Sequence, residues 1–126
     1  MPSTQRNFMT RSILKTVGPF VFSPFILVPA AQIYVLNAYV MVPFQLTLAA
    51  YYTSAGTLTI NVQRIRAGAT VSVTNLSALA ATSTRATAAP TTDGTQAFIV
   101  ADTMQITISA IAGGVNLAVL LACQRT

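Results

Sequence analysis

Residues 58–63 read Leu58-Thr59-Ile60-Asn61-Val62-Gln63, with apolar and polar side chains in strict alternation. A strand turns successive side chains to opposite faces, so Leu58, Ile60 and Val62 share one face and Thr59, Asn61 and Gln63 the other. A helix would scatter the same residues around its circumference. The pattern recurs in Phe44-Gln45-Leu46-Thr47-Leu48, in Thr70-Val71-Ser72-Val73-Thr74 and in Ile106-Thr107-Ile108-Ser109. Val115, Leu117, Val119 and Leu121 alternate with Asn116, Ala118, Leu120 and Ala122, a strand whose outer face is only weakly polar.

Between these runs, Ser54-Ala55-Gly56, Arg66-Ala67-Gly68, Asp93-Gly94 and Gly113-Gly114 place glycine where a turn needs it. Strands joined by such short connections are expected to pair as antiparallel hairpins. Further strands are expected at 20–28, 33–42 and 97–100, about eight in all. Eight short strands buried on one side predict an all-β fold, an antiparallel β-sandwich of jelly-roll type or a small closed barrel. Segment 77–96, rich in Ala, Thr and Ser and carrying Pro90, is expected to be an exposed crossover loop. The 126 residues suit one domain. We divide them into an extended basic N-terminal arm, 1–16, and a single β-sandwich domain, 17–126.

Composition excludes most chemistry. The chain has 7 Lys+Arg, 2 Asp+Glu and no His; the acids are Asp93 and Asp102, and Lys15 and Cys123 are the only residues of their kinds. Metal cages draw on His, Cys, Asp and Glu, and general acid/base work needs a group titrating near neutrality. A serine or cysteine triad lacks its histidine, and one cysteine makes no intrachain disulfide. No enzyme activity, catalytic residue, metal, cofactor or small-molecule substrate is expected. Asp102 is expected to accept hydrogen bonds from its own turn, since calcium takes about 6 to 8 oxygen ligands and one carboxylate is too few. Cys123 reads as a buried small hydrophobe.

Only 7% of the residues are charged, against about 25% in an ordinary soluble domain. From Thr16 to Gln63 there is no formal charge, so lipid or other subunits are needed to cover part of the surface. The order of Arg6 to Lys15, an apolar run and Pro29-Ala30-Ala31 imitates a signal peptide. Pro19, Pro24 and Pro29 break that run as a helix. The residues between Pro29 and Pro43 fall short of the roughly 20 a span needs. Residues 104–123 are long enough but contain Gln105, Thr107, Ser109, Asn116 and Gly113-Gly114. A small integral membrane protein is therefore kept only as the alternative from another class.

The order of features is a strand at Ile33 to Val42 and the strand from Gly56 to Val62. There follow the turn and strand from Ala67 to Val71, a Thr-rich loop, the run Val100-Ala101-Asp102-Thr103-Met104-Gln105-Ile106-Thr107-Ile108, and Gly113-Gly114 leading into Asn116 to Leu121. This layout resembles the small jelly-roll decoration or cement proteins of tailed bacteriophages, over roughly residues 30 to 124. Segment 17–31 departs from that family. The resemblance implies a non-enzymatic protein on the outer capsid surface, commonly a homotrimer, that locks neighbouring major capsid protein subunits together. An acidic residue before the penultimate strand is common in the family, and Asp102 stands in that place. Other small virion components (minor capsid, head-fibre base or tail protein) share the class.

On that reading Arg6, Arg11 and Lys15 form a capsid-docking arm, with a solvated tail as the plainer account. Three basic residues neutralise few phosphates, so nucleic acid is not the expected partner. Tyr51 and Tyr52 end a strand, marking either a subunit interface or core. Arg64 and Arg66 share a strand face, as an intersubunit anchor or a solvated strand end. Residues 17–52 are expected to be buried or covered by subunits, and 77–96 exposed.

Overall fold

A computed structural model describes residues 19–27 and 29–126. The arm with Arg6, Arg11 and Lys15 lies outside the described residues. Eleven strands follow one another: β1 (Pro19–Phe22), β2 (Phe25–Ile26), β3 (Ile33–Asn37), β4 (Phe44–Tyr52), β5 (Ala55–Arg66), β6 (Ala69–Ser72), β7 (Leu79–Ala81), β8 (Ala86–Ala88), β9 (Ala97–Phe98), β10 (Thr103–Val115) and β11 (Leu117–Arg125). Among the described residues no helix is long and apolar enough to cross a membrane.

The strands form two antiparallel sheets. One runs β1-β11-β4-β8, with β2 also on β11 and β9 also on β4; the other runs β3-β10-β5-β6, with β7 also on β5. Counting β1 with β2, β6 with β7 and β8 with β9, there are eight strand positions, four to a sheet. The first pairs with the last, the second with the last but one, and so inward to β5 and β6. That nesting is one long hairpin rolled into a sandwich, the jelly roll expected from the alternation.

Leu58, Ile60 and Val62 point inward from β5 and meet Met104, Ile106 and Ile108 of β10 and Leu117, Val119 and Leu121 of β11 in one buried cluster. Each such side chain contributes about 1.5–3 kcal/mol on full burial. At one end Phe44 stacks on Phe98 with centroids 4.9 Å apart, and Phe20 meets Phe44 edge-on at 5.2 Å.

The molecule departs from the sequence reading in four places. In β4, Ala122 opposes Leu48 and Cys123 opposes Leu46, so Thr47 is an inserted bulge residue. The bulge reverses the alternation, leaving Leu46 and Ala49 buried and Leu48 facing outward. Second, β4 to β5 and β10 to β11 are not hairpins, because each connection passes from one sheet to the other. Gly113 and Gly114 lie inside β10, where its register against Thr57 slips, and the chain turns at Asn116 (φ 55°). The local hairpin is β5–β6, closed by Ala67 (φ 51°) and Gly68 (φ 80°), the paired positive angles of a type I′ turn. Third, the strand begun at Ile33 stops at Asn37, and 38–43 is a loop. Fourth, segment 77–96 contains β7 and β8, which supply an edge to each sheet. Its inward residues Leu79 and Ala81 are buried, whereas Thr82 to Arg85 are exposed as expected. Alanine is too small and too ambivalent for its alternation to show in composition.

Candidate assembly surfaces

Strand β5 outruns the core, so its inward face passes from Leu58, Ile60 and Val62 to Arg64 and Arg66 at the open end of the sandwich. Segment 94–102 folds across that end. Arg66 Nε donates to Asp102 Oδ1 at 3.0 Å and its Nη2 to Oδ2 at 2.8 Å, with a longer bond to the Ala97 carbonyl at 3.3 Å. Arg64 Nη1 donates to the Gly94 and Ala97 carbonyls at 2.9 and 3.1 Å, while its Nε is buried without a partner. Asp102 also accepts the Ile99 amide of its own turn at 2.8 Å. Burial opposes ionisation of Asp102, but the bonds from Arg66 and Ile99 outweigh it and hold the carboxyl below its ordinary pKa. Both guanidinium groups are thus engaged within the chain.

The two tyrosines part company, as neighbours in a strand must. Tyr51 is buried in the core. Tyr52 lies on the outer face with the Arg85 guanidinium 5.7 Å from its ring centroid. They border a shallow cleft of about 270 Å³ that also involves Ser23, Ala50 and Leu120.

The outer faces of the two sheets differ. On the β10 sheet Gln63 Oε1 accepts from Gln105 Nε2 at 2.9 Å and from Thr107 Oγ1 at 2.8 Å, and Asn61 Oδ1 accepts the Ala78 amide. On the β11 sheet the cross-strand rows are Val21, Ala122, Leu48 and then Leu120, Ala50, Thr87. Exposed apolar side chains also gather at two other places. At the end closed by Arg66, Val40 and the 99–102 turn exchange backbone bonds (Val40 N to Asp102 O, 2.8 Å; Ala101 N to Val40 O, 2.9 Å). Those bonds hold Tyr39, Met41 and Val42 beside Ile99 and Val100, with Met41 73% exposed. A cleft of about 260 Å³ there is lined by Phe20, Phe22, Tyr39, Met41, Phe44 and Arg125, among others. The Arg125 guanidinium stands 4.4 Å from the Phe20 centroid. The second place is the flank formed by β1, β2 and β3, where Val21, Phe25, Leu27, Ile33 and Val35 are 55–64% exposed. Sequence reasoning missed the Arg125 cleft, which depends on a terminal strand meeting β1, a contact no local pattern announces.

Little here is reactive. Among the described residues no group of three or more His, Cys, Asp or Glu side chains occurs. Burial pushes the Cys123 thiol up to about 12, with Arg125 opposing only in part. Asp93 is lowered to about 2 by hydrogen bonds from the Thr74 and Thr95 hydroxyls and the Thr95 amide, which close its loop.

No protein-family model matches the chain, and no curated protein sequence matches it. Among solved structures, a chain of the cyanophage Pam1 capsid asymmetric unit is similar, with TM-score 0.50 and 17% identity over 87% of this chain and 85% of that one. The T13 particle of IBDV gives TM-score 0.44 and 14% identity over 88% of this chain and 36% of that one. The extra small virus of the prawn Macrobrachium rosenbergii gives TM-score 0.36 and 14% identity, covering 86% and 79%. The likeness to the Pam1 chain shows a shared fold.

Proposed function

We propose that the protein is a non-enzymatic virion structural protein, and more specifically a decoration or cement protein of a tailed phage. In that role it binds the outer capsid surface and stabilises contacts between major capsid protein subunits, as a homo-oligomer for which the family resemblance implies three copies. One observation carries the reading: a capsid-type jelly roll presents uncharged, apolar side chains on its outer face, its flank and one end, where a free soluble domain would carry charge. The similar chain in the Pam1 capsid asymmetric unit is of comparable length, since 85% of it is covered. That match in size supports a small capsid component. The basic arm Arg6, Arg11 and Lys15 supplies a charged tether toward an acidic shell.

The test is to strip and restore. Mild denaturant is expected to remove the chain from purified particles without releasing the genome, and adding it back is expected to raise the temperature at which the particles open. Removal that always opens the shell would place the chain among the shell-forming subunits, and fractionation with tails would place it there instead.

A further inference from the structure

The flank of β1, β2 and β3 differs from the opposite one in how far the core is closed. Facing outward, Val21, Phe25, Leu27, Ile33 and Val35 are more than half exposed. Facing inward, Phe20, Phe22, Ile26, Tyr34 and Leu36 pack on the core but are only partly buried. On the opposite flank, beside β6 to β9, the corresponding residues Val73, Leu76, Leu79, Ala81 and Phe98 are buried. Among the described residues the core is closed on one side and open on the other. Along the open side runs β3, an edge strand with no charge and no proline to discourage pairing.

Charge selects the occupant. Close to a symmetry axis a residue lies near its own copies, so charge there meets like charge, and a flank that carries none suits a second copy better than a partner recognised by its charge. The described residues from 19 to 63 carry none. Among the described residues one charge, Arg125, stands at the margin of the flank against Phe20 of β1, and the others stand elsewhere: Arg64, Arg66 and Asp102 at one end, Arg85 near Tyr52, and Asp93 between β8 and β9. We propose that the β1–β2–β3 flank faces the axis of a closed homo-oligomer, each copy covering the open side of the next. The inference rests on the structural-protein reading and names the surface that makes the oligomer.

Its test needs no virion. Sedimentation of the purified full chain at tens of micromolar is expected to show one closed oligomer. Val35→Lys and Val35→Asp are each expected to sediment as monomers with an unchanged strand spectrum by circular dichroism. Leu120→Lys, on the outer sheet face, is expected to leave assembly intact. A wild-type chain that stays monomeric at 100 micromolar would overturn the proposal, as would Val35 variants that assemble normally. Either result leaves capsid binding to be judged separately, by the strip-and-restore experiment.

Discussion

Arg66 and Asp102 face each other through two roughly parallel hydrogen bonds, Nε to Oδ1 at 3.0 Å and Nη2 to Oδ2 at 2.8 Å. The Asp102 side chain is 2% exposed and that of Arg66 38%. The pair locks the turn after β9 onto the end of β5, and that turn holds the apolar loop tips in place. Because the two partners are unequally buried, their removal is unequal too. Arg66→Met leaves a buried carboxylate supported by the Ile99 amide and the Arg64 charge but without its paired guanidinium, and is expected to cost about 3 kcal/mol. Asp102→Asn keeps hydrogen-bonding capacity and leaves a half-wet guanidinium, for about 1–2 kcal/mol. Urea unfolding of both variants checks the order, and a larger loss for Asp102→Asn than for Arg66→Met contradicts it.

Acid should weaken the same lock. Asp102 titrates below its ordinary value in the folded chain, so the unfolded chain binds protons first as pH falls. Stability is expected to be constant above about pH 5 and to decline from about pH 4 downward, through the folded pKa. Thermal unfolding measured from pH 2 to 7 checks this, and Asp102→Asn should remove its share of the decline, leaving that of Asp93, which is held at about 2. A variant with the same acid profile as the parent would exclude Asp102 as its source.

Glycine 56 has no substitute. Its φ is +70° and an added Cβ would lie 2.2 Å from the carbonyl carbon of Gly113, where β5 and β10 are pressed together as the chain crosses between sheets. Gly56→Ala is expected to cost more than about 2 kcal/mol from strain and collision together. Gly68 has φ +80° with open space around the same position, so Gly68→Ala costs about 1 kcal/mol from strain alone. Equal losses in denaturant unfolding would refute the close approach.

One substitution should stabilise the chain. Ala67 holds φ 51° as the first residue of the β5–β6 turn, a conformation asparagine adopts more easily and that Asn-Gly turns favour. Ala67→Asn is expected to gain about 0.5–1 kcal/mol. A midpoint shift to lower urea would show that the turn is not as described.

The strands were legible where alternation involved large side chains, as in Leu58 to Gln63. The hairpin argument for antiparallel pairing holds at Ala67-Gly68, whereas the short connections at Ser54 and Asn116 pass between sheets, and there the pairing comes from the wrap of the whole chain. Segment 77–96 hid β7 and β8 because alanine carries little pattern. Arg64 and Arg66 were visible as one face, yet their closure of the sandwich end depends on Asp102, far away in sequence. The uncharged stretch was the most informative: it marked surface that the described residues leave exposed, though within residues 19–43 little of it is core.

The central claim is that this chain is a built-in part of a virus particle. The most direct measurement is its copy number in gradient-purified, nuclease-treated particles of the virus that encodes it, by quantitative mass spectrometry against the major capsid protein. The account predicts a fixed ratio that holds through repeated gradients, with the chain accessible to surface labelling on intact particles. Its absence from the particle band, with the chain confined to soluble or membrane fractions of the infected cell, would contradict the account.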